Sequence, residues 1–133
     1  MEFLIGFSLA LVVSLSASAI GLDKERSFYA VVLIVIASYY ILFAAMGAPI
    51  LVLASEAIPM GVFVLLAVVG FKRNEWLLVV GLAAHGVFDL THGLVITNNG
   101  VPAWWPGFCL AYDVTAAVYL ALLLKSRRAT NAA

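Results

Sequence analysis

The sequence predicts an all-α protein: a polytopic transmembrane bundle of five helices, N-terminus outside and C-terminus cytoplasmic, forming a single domain over residues 1–133. Three observations predict it. The chain is 65% hydrophobic and 11% charged, with mean hydropathy +1.14, where a soluble domain has about 45–50% apolar and about 25% charged residues. Five stretches each hold the roughly 20 apolar residues that cross about 30 Å of hydrocarbon. All seven Lys and Arg lie in three places: Lys24 and Arg26, Lys72 and Arg73, and Lys125, Arg127 and Arg128.

The first span, Phe3–Leu22, reads as a retained helix. Met-Glu-Phe lacks the basic start of a signal peptide, and cleavage at Ser16–Ala19 would leave Lys24 and Arg26 outside. Its Ala10, Ser14 and Ser18, four residues apart, suit close helix contact. The second and third spans, Phe28–Met46 and Pro49–Phe71, share an almost uncharged stretch with two turn signals. A turn at Gly47-Ala48-Pro49 gives two spans of normal length. A turn at Ser55–Pro59 would leave a span too short to cross. The first choice puts Pro59 inside the third helix, where it removes the bond to the Ser55 carbonyl and is expected to kink the helix beside Glu56. The fourth and fifth spans are Trp76–Thr97 and Trp105–Leu124. Asn98-Asn99-Gly100 reads as a turn, and Pro102–Pro106 as a stiff interfacial re-entry. With five spans the three basic clusters share one side, which the positive-inside rule makes cytoplasmic. The spans lack period-2 alternation and are twice the length of a barrel strand, which excludes a β-barrel.

Zero net charge and seven basic residues exclude a broad nucleic-acid-binding face, and the one cysteine, Cys109, excludes an internal disulfide. The bilayer is the expected partner, with a hydrophobic small molecule as candidate substrate and a homo-oligomer left open.

Five ionisable residues fall inside the spans: Glu56, His85, Asp89, His92 and Asp113. An intramembrane charge costs roughly 2.5–3.5 kcal/mol on the insertion scale, and no intramembrane Lys or Arg offsets it. Counted along their helices, Glu56, Asp89 and Asp113 lie about 11–12 Å below the outer ends, and Tyr39 and Tyr40 about 10 Å. His85, Asp89 and His92 stand at i, i+4 and i+7, on one face of the fourth helix. Asp89-Leu90-Thr91-His92 has the carboxylate-x-x-His spacing of metal-holding bundles. His85, Asp89 and His92 are therefore candidate metal ligands, for an ion such as Zn or Fe. Glu56, Asp89 and Asp113 are candidate acid/base residues, because desolvated carboxyls at close quarters divide into proton donor and acceptor. The alternatives are interhelical hydrogen bonding for the carboxylates, packing for the tyrosines and apolar filling for Cys109.

The stretches His85-Gly-Val-Phe-Asp89-Leu-Thr-His92-Gly93 and Val101-Pro-Ala-Trp-Trp-Pro-Gly-Phe-Cys-Leu-Ala-Tyr-Asp113 resemble those of an uncharacterised family of small bacterial multi-pass membrane proteins. That resemblance implies a bacterial inner (plasma) membrane and carries over no catalytic residue. Three function classes stay open. The first is a membrane-embedded acid/base or metal-dependent enzyme acting on a hydrophobic substrate. The second is a carrier for protons, metal ions or a small solute. The third is a structural or accessory subunit. On the basic side of His85 the expected polar residues are Ser14, Ser16 and Ser18 of the first helix, with none on the third or fifth, which disfavours a through-path.

Overall fold

A computed structural model describes residues 1–132 as five helices joined by short connections, and no strand occurs among the described residues. They are α1 (Glu2–Ile20), α2 (Ser27–Ala45), α3 (Ile50–Lys72), α4 (Trp76–Val95) and α5 (Trp105–Ala132). All five are long and apolar enough to cross a membrane. The apolar runs dictate this, because in lipid only a helix satisfies its own backbone donors and acceptors. Leu4, Leu65, Val118 and Leu122 are among the large apolar side chains that face outward.

The expected span ends fall within two residues of the helix ends, with one exception. α5 continues eight residues beyond Leu124, through the basic cluster. The expectation read Lys125–Arg128 as the end of the span, yet Lys and Arg are good helix formers, and tertiary contacts hold the extra turns. The Arg127 guanidinium donates to the Asp23 carbonyl at 2.7 Å and lies 3.6 Å from the Asp23 carboxylate and 3.8 Å from Glu75. Arg26 pairs with Glu75 at 3.1 Å, and Arg128 sits over the Trp76 ring at 5.5 Å. Asp23, buried in a short 3₁₀ turn over Leu22–Lys24, also accepts a hydrogen bond from Ser18. The basic end of the bundle is thus an ionic knot joining α1, α2, α4 and α5.

α5 packs between α1 and α4, and α3 packs against both α4 and α2. The α1–α5 contact is close because Gly6, Ala10, Ser14 and Ala17 form the buried strip of α1. A Cβ on Gly6 would overlap the Phe108 carbonyl. Ala10 and Ser14 serve as expected, and Ser18 turns to Asp23 and to the Tyr119 hydroxyl, 2.8 Å away. α3 runs unbroken through Pro59. Leu33, Phe63, Leu78, Leu82, Ala117 and Leu120 belong to the apolar core. The expectation that the half toward the basic end has no polar residue on the third or fifth helix fails for α5. Tyr119 and Thr115 of α5 lie on that side of Asp113, and the buried Tyr29 of α2 does so near the basic end.

Candidate polar site within the bundle

Glu56, His85, Asp89, His92 and Asp113 are all buried, with 0–2% of each exposed. Local sequence explains how they meet. On α4 the i, i+4, i+7 spacing turns His85, Asp89 and His92 inward together, and all three are among its buried residues. Between them Gly86 presents no side chain to α5. A Cβ there would stand 3.3 Å from the Asp113 Cβ and 3.4 Å from the Leu110 carbonyl oxygen. That close approach of the two helices lets Asp113 reach His85. Glu56 projects from α3 three residues before Pro59, and Tyr40 from α2.

The five groups form two centres. In the first, His92 Nε2 lies 2.8 Å and 3.1 Å from the two carboxylate oxygens of Glu56. The Asn98 side-chain amide donates to the same carboxylate at 2.8 Å and to the Tyr40 carbonyl at 3.1 Å. In the second, His85 Nδ1 lies 2.7 Å from Asp113 Oδ2 and 3.3 Å from Asp89 Oδ2. Tyr40 bridges them. Its hydroxyl donates to Asp89 Oδ1 at 2.6 Å, and its ring stacks on His92 with centroids 3.8 Å apart. Phe63 edges against the His85 ring and Phe88 against the His92 ring, and the two close the surround.

The centres differ in how well their oxygens are satisfied. Both Glu56 oxygens lie within 3.1 Å of His92 Nε2, and Oε1 also accepts from the Asn98 amide. Asp89 Oδ2 and Asp113 Oδ1 are buried without a hydrogen-bond partner. Every Lys and Arg lies toward the basic end of the helices, and among the described residues no ion pair joins one to either centre.

The candidate acid/base residues Glu56, Asp89 and Asp113 therefore come together in one core but not in one centre. The candidate metal set divides as well. His85 and Asp89 share a centre with Asp113, and one ligand atom from each of these three lies within 4.8 Å of the others. His92 is engaged by Glu56 instead. Tyr40 belongs to the site. Tyr39, Tyr112 and Cys109 line an apolar groove between α2 and α5, of about 460 Å³, with Val31, Val35 and Phe108 in its walls. Sequence reasoning missed Asn98. It is a turn residue as expected, since its Oδ1 accepts the Gly100 N–H at 3.1 Å, but its amide group caps the Glu56 centre. The available signal was an amide-bearing residue six positions after His92, at the mouth of a helix with unpaired intramembrane carboxylates below.

No family model matches the chain, and comparison with curated proteins and with solved structures gives no match either.

Proposed function

We propose that the chain is a multi-pass protein of a bacterial inner membrane whose buried carboxylate–histidine core carries out chemistry on a hydrophobic substrate admitted from the bilayer. The N-terminus is outside and the C-terminus cytoplasmic. The gathering of every Lys and Arg at one end of the helices supports that orientation, and the bacterial setting rests on the sequence resemblance. A fusion of alkaline phosphatase to the C-terminus is expected to be inactive and a fluorescent protein there bright; the reverse result overturns the orientation.

One observation carries the chemical reading: the incomplete pairing of Asp89 and Asp113 inside an otherwise apolar bundle. A polar core kept only for packing satisfies its members, because an orphaned buried polar atom is costly. A buried polar atom left unpaired in a native structure calls for an explanation, and a catalytic role or a bound ion is one. The α2/α5 groove supplies the approach. Its wall carries Cys109, one helical turn before Asp113, and Tyr112 beside it. An acyl or isoprenoid chain lying there would bring its reactive end toward Asp113. The His85–Asp113 pair then takes up or delivers a proton, Asp89 holds His85 from the other side, and Tyr40 fixes Asp89. The Glu56–His92–Asn98 centre positions Tyr40 from behind.

The test is the lipid composition of membranes carrying wild type, Asp113→Asn or an empty vector at matched protein levels. The expected result is a lipid species altered by wild type alone. Three indistinguishable profiles overturn the enzymatic reading. They would favour the accessory-subunit reading, which the near-complete burial of all five groups supports.

A further inference from the structure

We propose that His85, Asp89 and Asp113 are the protein ligands of one divalent transition-metal ion.

The centre has two carboxylates, four oxygens in all, and one facing imidazole nitrogen. His85 Nδ1 meets Asp113 Oδ2 in a hydrogen bond of 2.7 Å. Its approach to Asp89 Oδ2, at 3.3 Å, does not make one, so that oxygen remains orphaned along with Asp113 Oδ1. Asp89 and Asp113 are 1% and 0% exposed, so water does not reach the orphans from outside. An imidazolium would offset only one of the two carboxylates. A divalent cation offsets both, with His85 neutral, and partners the unpaired Asp89 Oδ2 directly and Asp113 Oδ1 when that carboxylate binds through both its oxygens.

Geometry agrees. The ligand atoms of all three residues lie within 4.8 Å of one another. Around an ion with bonds of about 2.0–2.2 Å, tetrahedral ligands stand roughly 3.3–3.6 Å apart. The 3.3 Å contact already has that spacing, and the 2.7 Å contact widens to it by a small turn of Asp113. The surround is also that of a metal site. Ligating carboxylates are held by outer hydrogen bonds, and Tyr40 holds Asp89 Oδ1 at 2.6 Å. Gly86 fixes the spacing of the two helices that supply the ligands.

The donor set names the ion class. One imidazole with two carboxylates suits Zn(II), Fe(II) or Mn(II), and disfavours Cu(I), which prefers sulfur. Three protein ligands leave a coordination position open, as in catalytic rather than structural sites. With an ion bound, His85 and Asp113 would serve as its ligands rather than as the proton-transfer pair, so this is the metal-dependent form of the proposed chemistry at the same site; it is tested apart from that reading, because metal content is measured whether or not any lipid is altered.

The experiment uses the full chain with a tag other than polyhistidine, purified in nonionic detergent and analysed by inductively coupled plasma mass spectrometry. It expects about one Zn, Fe or Mn per chain, by the one-ion geometry above. Titration of stripped protein with Co(II) should give a visible ligand-field band of low-coordinate intensity. His85→Gln and Asp113→Asn should abolish binding, whereas Glu56→Gln and His92→Gln keep it. Tyr40→Phe retains the ligands and the ring, so it reports even if the aspartate variants fail to fold; it should weaken Co(II) affinity by about tenfold. Wild type that holds no stoichiometric metal and gives no Co(II) band overturns the proposal. So does equal metal loss in His92→Gln, which would put the ion in the other centre.

Discussion

Replacing His92 with Phe isolates what the Glu56 centre contributes to stability. Phe keeps a ring to stack on Tyr40, 3.8 Å away in the native protein, and removes the imidazole that meets both Glu56 oxygens. Glu56, 1% exposed, is then left with the Asn98 amide alone. Breaking a buried ion pair costs about 3–5 kcal/mol, and the insertion scale sets about 2.5–3.5 kcal/mol for an intramembrane charge. The expected loss is therefore about 3 kcal/mol. Glu56→Met removes the acid instead and strands only the imidazole, for a loss of about 1.5 kcal/mol. Both changes together leave an apolar pair and should cost only about 1 kcal/mol, since replacing a whole buried pair is nearly neutral. The implied coupling is about 3.5 kcal/mol.

That figure discriminates, because hydrogen bonds between membrane helices average about 0.6 kcal/mol of coupling and reach about 1.7. Reversible unfolding in mixed detergent micelles, followed by the fluorescence of Trp76, Trp104 and Trp105, measures it. A coupling above about 2 kcal/mol identifies a desolvated ion pair. One at or below about 0.6 kcal/mol refutes the reasoning and makes Glu56–His92 an ordinary hydrogen bond.

Three further outcomes use the same unfolding assay. Gly6→Ala should cost about 1–3 kcal/mol by overpacking α1 against the Phe108 carbonyl, whereas Gly61→Ala, with nothing within 4 Å of the new methyl, should be neutral or stabilising by up to about 1 kcal/mol; equal effects would refute the α1–α5 contact. Asn98→Ala should cost about 1–3 kcal/mol through loss of the bonds to Glu56 and the Tyr40 carbonyl, and Asn98→Asp should cost more, because it sets a second carboxylate against Glu56. Arg127→Met should cost about 1 kcal/mol, since its side chain is 31% exposed, and its effect should shrink at high salt while that of Asn98→Ala does not.

How legible each feature was follows from the kind of signal it leaves. The spans were legible because run length alone decides whether a helix can cross a membrane. Burial of the five ionisable groups was legible because an intramembrane charge facing lipid is too costly. The far end of α5 was not, because charge marks the membrane boundary and says nothing about where a helix stops. The Asp23–Arg127–Glu75 knot and the role of Asn98 were not, because both depend on which neighbours three separate connections bring together. Shared depth grouped Tyr39 with Tyr40, yet adjacent residues on a helix diverge by about 100°. Tyr40 accordingly enters the core, whereas Tyr39 lines the groove.

The division of His85 from His92 has a stricter cause. Seven helical residues rise about 10.5 Å, while two ligands of one ion stand roughly 3.5 Å apart. Side chains two turns apart share a face without sharing a partner, so the i, i+4, i+7 pattern provides two attachment points along α4 rather than one. Each histidine is then assigned by what the neighbouring helices offer at its own height: Glu56 of α3 at the upper point and Asp113 of α5 at the lower. Asp89, midway, sides with His85 and ties the two levels through Tyr40. Substitutions at His92 should therefore lower stability and spare metal content, whereas substitutions at Asp113 should remove the metal.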